Sequence, residues 1–130
     1  MILVILLVLA LFVIQTILPN RFREPAPEGT VKASLGARDN PPPYTIIGGR
    51  AARALANMQE ALPVFLTLAL LNLIVGTAGE IAVTGAWIFL LARLVYVPAY
   101  LSGIPGLRTL VWMVSLVGIA LLVAPLVSRI

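Results

Sequence analysis

The sequence predicts an all-α integral membrane protein, a four-helix bundle forming one domain over residues 1–130. Three observations predict it. Hydrophobic residues make up 61% of the chain and charged residues only 11%, with a mean hydropathy of +1.07. A soluble domain this short buries too little of its surface to hide so many apolar side chains, so lipid must be the solvent for much of it. The apolar residues also fall into four runs near spanning length, separated by Pro- and Gly-rich turns that hold most of the charge.

The first run, residues 2–18, is apolar except for Gln15 and Thr16 and is closed by Pro19 and Asn20. It is roughly the minimum length for a spanning helix. A secretory leader would carry a basic start and a small-residue cleavage site. This run has neither, so a spanning helix is expected. Residues 20–47 form the one long hydrophilic stretch, with Arg21, Arg23, Lys32 and Arg38 against Glu24, Glu28 and Asp39. Pro41, Pro42 and Pro43 stiffen it locally into extended backbone. The second helix is expected over about 48–75, kinked at Pro63, whose ring removes the hydrogen bond to the Gln59 carbonyl. Gly48, Ala52 and Ala56 form a small-residue ladder along it, which permits close approach of a neighbouring helix. After the turn 76–80, the third helix spans about 81–101, and after the turn 102–106 the fourth spans about 107–127.

The net charge of +4 would suggest nucleic acid in a soluble protein. Here the basic residues cluster in loops, which membrane topology explains better, and no nucleic-acid partner is expected. Most positive charge lies in the loop 20–47 and at the head of the second helix, with Arg108 near the turn 102–106, whereas the turn 76–80 holds only Glu80. The positive-inside rule then puts the first and third loops in the cytoplasm and both termini outside, in a multi-pass protein of the cell (inner) membrane. Arg129 alone votes the other way. With no cysteine and no histidine, the chain lacks a thiolate nucleophile, the usual general base and the commonest metal ligands. No metal site is expected, and chemistry must use Arg, Tyr, Glu, Ser or a bound cofactor.

Arg50, Arg53, Asn57 and Glu60 lie at offsets of +3, +7 and +10 from the first. At about 100° per residue they fall within roughly an 80° arc, a polar stripe heading an apolar helix. A charged side chain at membrane depth costs about 2.5 kcal/mol or more and persists only against protein, water or a ligand. Two readings fit: a helix-packing network, or half of a polar binding site. Arg50 also fits a simple anchor at the helix start. Arg93, Tyr96 and Tyr100 share a face of the third helix at +3 and +7, and Arg108, Trp112 and Ser115 share one of the fourth at +4 and +7. The topology brings all three sets toward one end of the bundle. Trp112 and Ser115 are expected to pack, and Tyr96 and Tyr100 also fit an interfacial aromatic belt. A cluster this rich in arginine suits an anionic ligand, since guanidinium groups clasp carboxylates and phosphates.

The pattern R-A-x-x-N-x-x-E at Arg53, Ala54, Asn57 and Glu60, followed by a proline and an apolar run, resembles the second helix of the MAPEG family (membrane-associated proteins of eicosanoid and glutathione metabolism). R-x-x-Y-x-x-x-Y at Arg93, Tyr96 and Tyr100, followed by a short turn and Arg108, is the second match. The four-helix layout and the long first loop agree over essentially the whole chain. The resemblance is to bacterial-type members similar to microsomal glutathione transferases. It implies a homotrimer with glutathione bound between subunits near the cytoplasmic face. It places Arg53, Asn57 and Glu60 on the cofactor's backbone and termini. Tyr96 and Tyr100, with Arg93 aligned beside them, line the site; an arginine that closes the first helix contributes in some members, and Arg21 is the candidate here, though Arg21 and Arg23 also fit simple topology charges. Arg108 faces the sulfur as the catalytic group. Leu55 and Ala61 depart from members with polar or aromatic residues there. The implied function is a glutathione-dependent transferase or peroxidase for lipophilic electrophiles. The alternative is a non-catalytic lipid-binding or scaffold protein of the same fold. A small multidrug transporter would want an ionisable residue in the midst of the first helix, and residues 2–18 hold none.

Overall fold

The computed structural model describes residues 1–27, 29–37 and 39–130; Glu28 and Arg38, counted above among the loop charges, lie outside them. The elements run α1 (Ile2–Arg21), α2 (Thr30–Leu35), α3 (Ile46–Val75), α4 (Glu80–Ser102) and α5 (Leu107–Val127). All but α2 are long and apolar enough to cross a membrane. The four-helix expectation therefore holds, with three adjustments. Helix α1 continues through Pro19 to Arg21, because a proline in the last turn removes a bond where the ladder is ending anyway. Helix α3 begins at Ile46, ahead of the two glycines, because Thr45 caps it by accepting from the Gly48 amide at 3.1 Å. The six-residue α2 lies within the stretch read as loop.

Large apolar side chains remain exposed along every spanning helix, among them Ile14, Leu71, Leu91 and Met113. A bundle wet by water would not leave them so, and a bundle wet by lipid has no reason to hide them. Inside, Val4, Val8 and Leu11 of α1 meet Met58, Phe65 and Ala69 of α3, with Phe89 and Leu90 of α4 and Leu122 of α5. Phe65 and Phe89 stack with centroids 4.4 Å apart. The most extensive contact joins α4 and α5. It is made close by Gly85 and Gly118, since a Cβ on Gly85 would lie 2.7 Å from the Gly118 carbonyl oxygen. At the far end Asn72 is fully buried. Its Nδ2 donates to the Leu68 and Leu122 carbonyls at 2.9 and 2.8 Å, and its Oδ1 accepts from the Thr77 hydroxyl at 2.9 Å. That leaves no polar atom of the amide unsatisfied in an apolar setting.

The long first loop is pinned where it leaves α1 and where it enters α3. The Thr45 amide and hydroxyl both donate to the Phe22 carbonyl at 2.9 Å, and the Glu24 amide donates to the Pro43 carbonyl at 2.9 Å. The Arg23 guanidinium lies 3.9 Å from the Tyr44 ring centroid and donates to the Pro42 carbonyl at 2.5 Å. Gly48 fits against this junction, for a Cβ there would collide with the Phe22 carbonyl oxygen. The first rung of the small-residue ladder is thus used within the chain. Ala52 and Ala56 remain available to a neighbouring helix.

Candidate functional site

The site lies at the loop end of the bundle, where α3 starts, α4 ends and α5 starts. Helix α3 has 30 residues. At ~1.5 Å per residue it is roughly 45 Å long against a hydrocarbon core of about 30 Å. A helix of that length tilts or extends past the hydrocarbon, and the end that carries Arg50, Arg53, Asn57 and Glu60 is the one suited to the headgroup region.

Gly103 and Gly106, at φ +70° and +80°, turn the chain sharply from α4 into α5. Both angles lie in the left-handed region that favours glycine. Arg50 secures this turn. Its Nη1 donates to the Leu101 carbonyl at 2.9 Å, and its guanidinium fills the space a side chain at Gly103 would need, with a Cβ there only 2.6 Å from the Arg50 Cζ. A cation on the last carbonyls of a helix also meets the negative end of its dipole. Arg50 is thus a clamp between α3 and α4, a structural role that its place at the helix start did not reveal.

The turn sets the first residues of α5 against the last turns of α4. A cleft of about 230 Å³ opens there, lined by Asn57, Tyr96, Tyr100, Arg108, Thr109 and Trp112. The Tyr96 and Tyr100 rings meet edge-on at 5.6 Å. Arg108 donates from Nη1 to the Tyr100 hydroxyl at 3.1 Å, with its guanidinium 5.1 Å from that ring's centroid. Arg53 stands 5.9 Å from the same ring. Tyr100 is therefore flanked by two cations, and the cleft lining holds an arginine and no carboxylate. Such a wall attracts an anion.

Of the residues singled out in the sequence, Asn57, Tyr96, Tyr100 and Arg108 come together in the cleft, and Arg53 stands at its edge. Arg93 does not line it. Only 2% exposed, Arg93 lies behind Asn57, donates from Nη1 to Asn57 Oδ1 at 2.5 Å, and rests beside the Phe89 and Tyr96 rings at 5.2 and 5.3 Å. Glu60 and Arg21 are exposed on the outside of the bundle and do not line the cleft. Ser115 is buried and bonds the Trp112 carbonyl at 2.7 Å, as a packing residue would. Trp112 instead adds an apolar wall to the cleft. Its signal was the +4 spacing from Arg108 on a helix face. No cluster of potential metal ligands occurs among the described residues.

A sequence model of the MAPEG family matches residues 1–127 of the chain. No individual curated protein matches it.

Proposed function

Because this chain belongs to the MAPEG family, we propose that it is a glutathione-dependent transferase or peroxidase acting on lipophilic electrophiles from within the membrane. The observation that carries the reading is the contact between Arg108 and Tyr100 in a cleft whose lining holds that arginine and no acid, with Arg53 at its edge. When bound, glutathione supplies the thiol nucleophile that a chain without cysteine or histidine lacks. The chain's own residues fit it. Asn57 and Arg53 offer donors to a carboxylate, Tyr96 and Tyr100 line the wall, and Arg108, charged at any physiological pH, would hold negative charge on a sulfur. The exposed apolar flanks of α5 leave a route from lipid for the second substrate.

The cleft is one open wall of such a site. Arg53 and Glu60 stand exposed beside it on α3. A neighbouring copy packed across Ala52 and Ala56 would cover them, and the homotrimer proposed here supplies one. Glu60 then meets the ammonium of the ligand, and Arg21 approaches from the end of α1. Native mass spectrometry in mild detergent tests both parts at once. The expected result is a three-chain mass that takes up glutathione, with Arg53→Ala weakening uptake about tenfold, the worth of a charge-assisted hydrogen bond. A trimer that ignores glutathione would leave the non-catalytic lipid-binding reading in its place.

The proposed orientation puts the loop end of the bundle in the cytoplasm, where glutathione is abundant. A single cysteine at Lys32 should resist an impermeant maleimide applied to whole cells, and one at Thr77 should react. The reverse pattern would move the site to the outer face.

A further inference from the structure

Asn57 enters the cleft with one half of its amide already engaged. A guanidinium carries only donors, so the atom facing Arg93 must be the carbonyl Oδ1 whichever way the amide is drawn. The Arg93 contact at 2.5 Å therefore holds Oδ1 inward. Asn57 lines the cleft, and Nδ2, with no partner among the described residues, is the half of the amide free to meet a ligand there. Arg93 has little freedom to release it. Its guanidinium is buried, rests beside the Phe89 and Tyr96 rings, and leaves Nε without a partner. A buried cation with a neutral partner and an unused donor is expensive, and a packing role alone would be filled better by an apolar residue.

We infer that Arg93 is a specificity-determining positioning residue: by fixing the Asn57 amide, it makes this part of the cleft a donor-only contact that selects an acceptor oxygen on the ligand, a carboxylate or amide carbonyl, and rejects an amine. The identity of the ligand rests on the function proposed above. The orientation of Asn57 does not.

The experiment is a double-mutant cycle on the purified protein, with glutathione as the probe. Asn57→Asp keeps an acceptor for Arg93 but turns acceptor oxygen toward the ligand. It should keep or raise the thermal midpoint, since it gives the buried Arg93 an anionic partner, and lose tenfold or more in affinity. Arg93→Leu should weaken binding about tenfold when residue 57 is asparagine, because the amide is free to flip, and by less than about twofold in the Asn57→Ala background. A merely structural Arg93 would lower affinity equally in both backgrounds. The same cycle read as thermal midpoints without ligand should also be non-additive. Additive effects in binding, or an Asn57→Asp variant that binds like wild type, would overturn the inference. If the wild type takes up no glutathione, the proposed function fails. The inference is then decided by the ligand-free cycle, where additive midpoints reject it and non-additive ones sustain the fixed amide.

Discussion

Arg108→Ala is expected to slow conjugation of a model electrophile such as a halogenated nitrobenzene by about 100-fold, the scale seen when one donor to a developing or stabilised anion is removed. Affinity for glutathione should change far less, because Arg53, Asn57 and Glu60 are the groups assigned to its charged ends. The reasoning starts from what the chain lacks. Without histidine or cysteine, the nucleophile arrives as a thiol, and a thiol reacts as its thiolate. An ordinary thiol has a pKa of about 8.5, and a fixed cation nearby lowers it. Arg108 provides that cation in the first turn of α5, where the positive end of the helix dipole adds to it. Its bond to Tyr100 has a second effect. The phenol oxygen accepts from Arg108, so the Tyr100 proton remains free to be donated to the sulfur. The sign with pH follows. Activity tracks the thiolate, which is present above the thiol pKa and lost as pH falls through it. Removing Arg108 raises that pKa, so the rate profile of the variant should move to higher pH and recover partly in alkaline buffer. An unchanged rate and profile would remove Arg108 from the chemistry.

The four spans could be read from the sequence because length and apolarity alone decide whether a helix suits lipid. Their ends were less legible. Pro19 and the Gly48–Gly49 pair look like breakers, yet one falls in a last turn and the other follows the Thr45 cap, positions where neither breaks a helix. Six residues of α2 carry too little pattern to stand out from a polar loop. The backbone-to-backbone approach of α4 and α5 was hidden, because nothing in Gly85 or Gly118 taken singly says that they face each other.

The site was legible as periodicity. Asn57, Tyr96, Tyr100 and Arg108 meet because helical spacing put each on the face that turns inward at the loop end. Spacing could not rank depth along that face. Arg93 lies one turn before Tyr96, and that single turn moves it from the cleft wall into the bundle interior, where it meets the cleft through Asn57 and the Tyr96 ring. The stripe on α3 divides in the same way. Arg50 turns to the α4–α5 turn, Asn57 to the cleft, and Arg53 and Glu60 to the outside. One sequence pattern thus serves a clamp, a wall and a surface. Only packing distinguishes them.

The hidden glycine contact carries the largest expected effect on folding. Gly118→Val should destabilise the protein by ~3 kcal/mol or more, at the upper end of overpacking in a filled core. The reason is what the new side chain would meet. A Cβ at Gly118 lies 2.7 Å from both the Gly85 carbonyl oxygen and the Phe89 amide nitrogen. Both are helix backbone, which cannot swing aside as a flexible side chain can, so α5 must shift as a body away from α4. Gly49→Ala is the matched control. Its Cβ meets the tip of the Arg53 side chain at 3.5 Å, ordinary contact, and alanine favours a helix interior over glycine by up to ~1 kcal/mol. Thermal unfolding in detergent should therefore fall sharply for the first variant and hold or rise for the second. The displacement also reaches the chemistry. Arg108 lies on the same rigid helix ten residues before Gly118, so a shift of α5 draws its guanidinium off the Tyr100 hydroxyl. Any folded Gly118→Val protein should consequently show the high-pH rate profile of Arg108→Ala with the arginine still in place. If the variant melts with the wild type, α4 and α5 do not pack backbone to backbone at these glycines. If it folds with the normal profile, the placement of Arg108 does not depend on that contact.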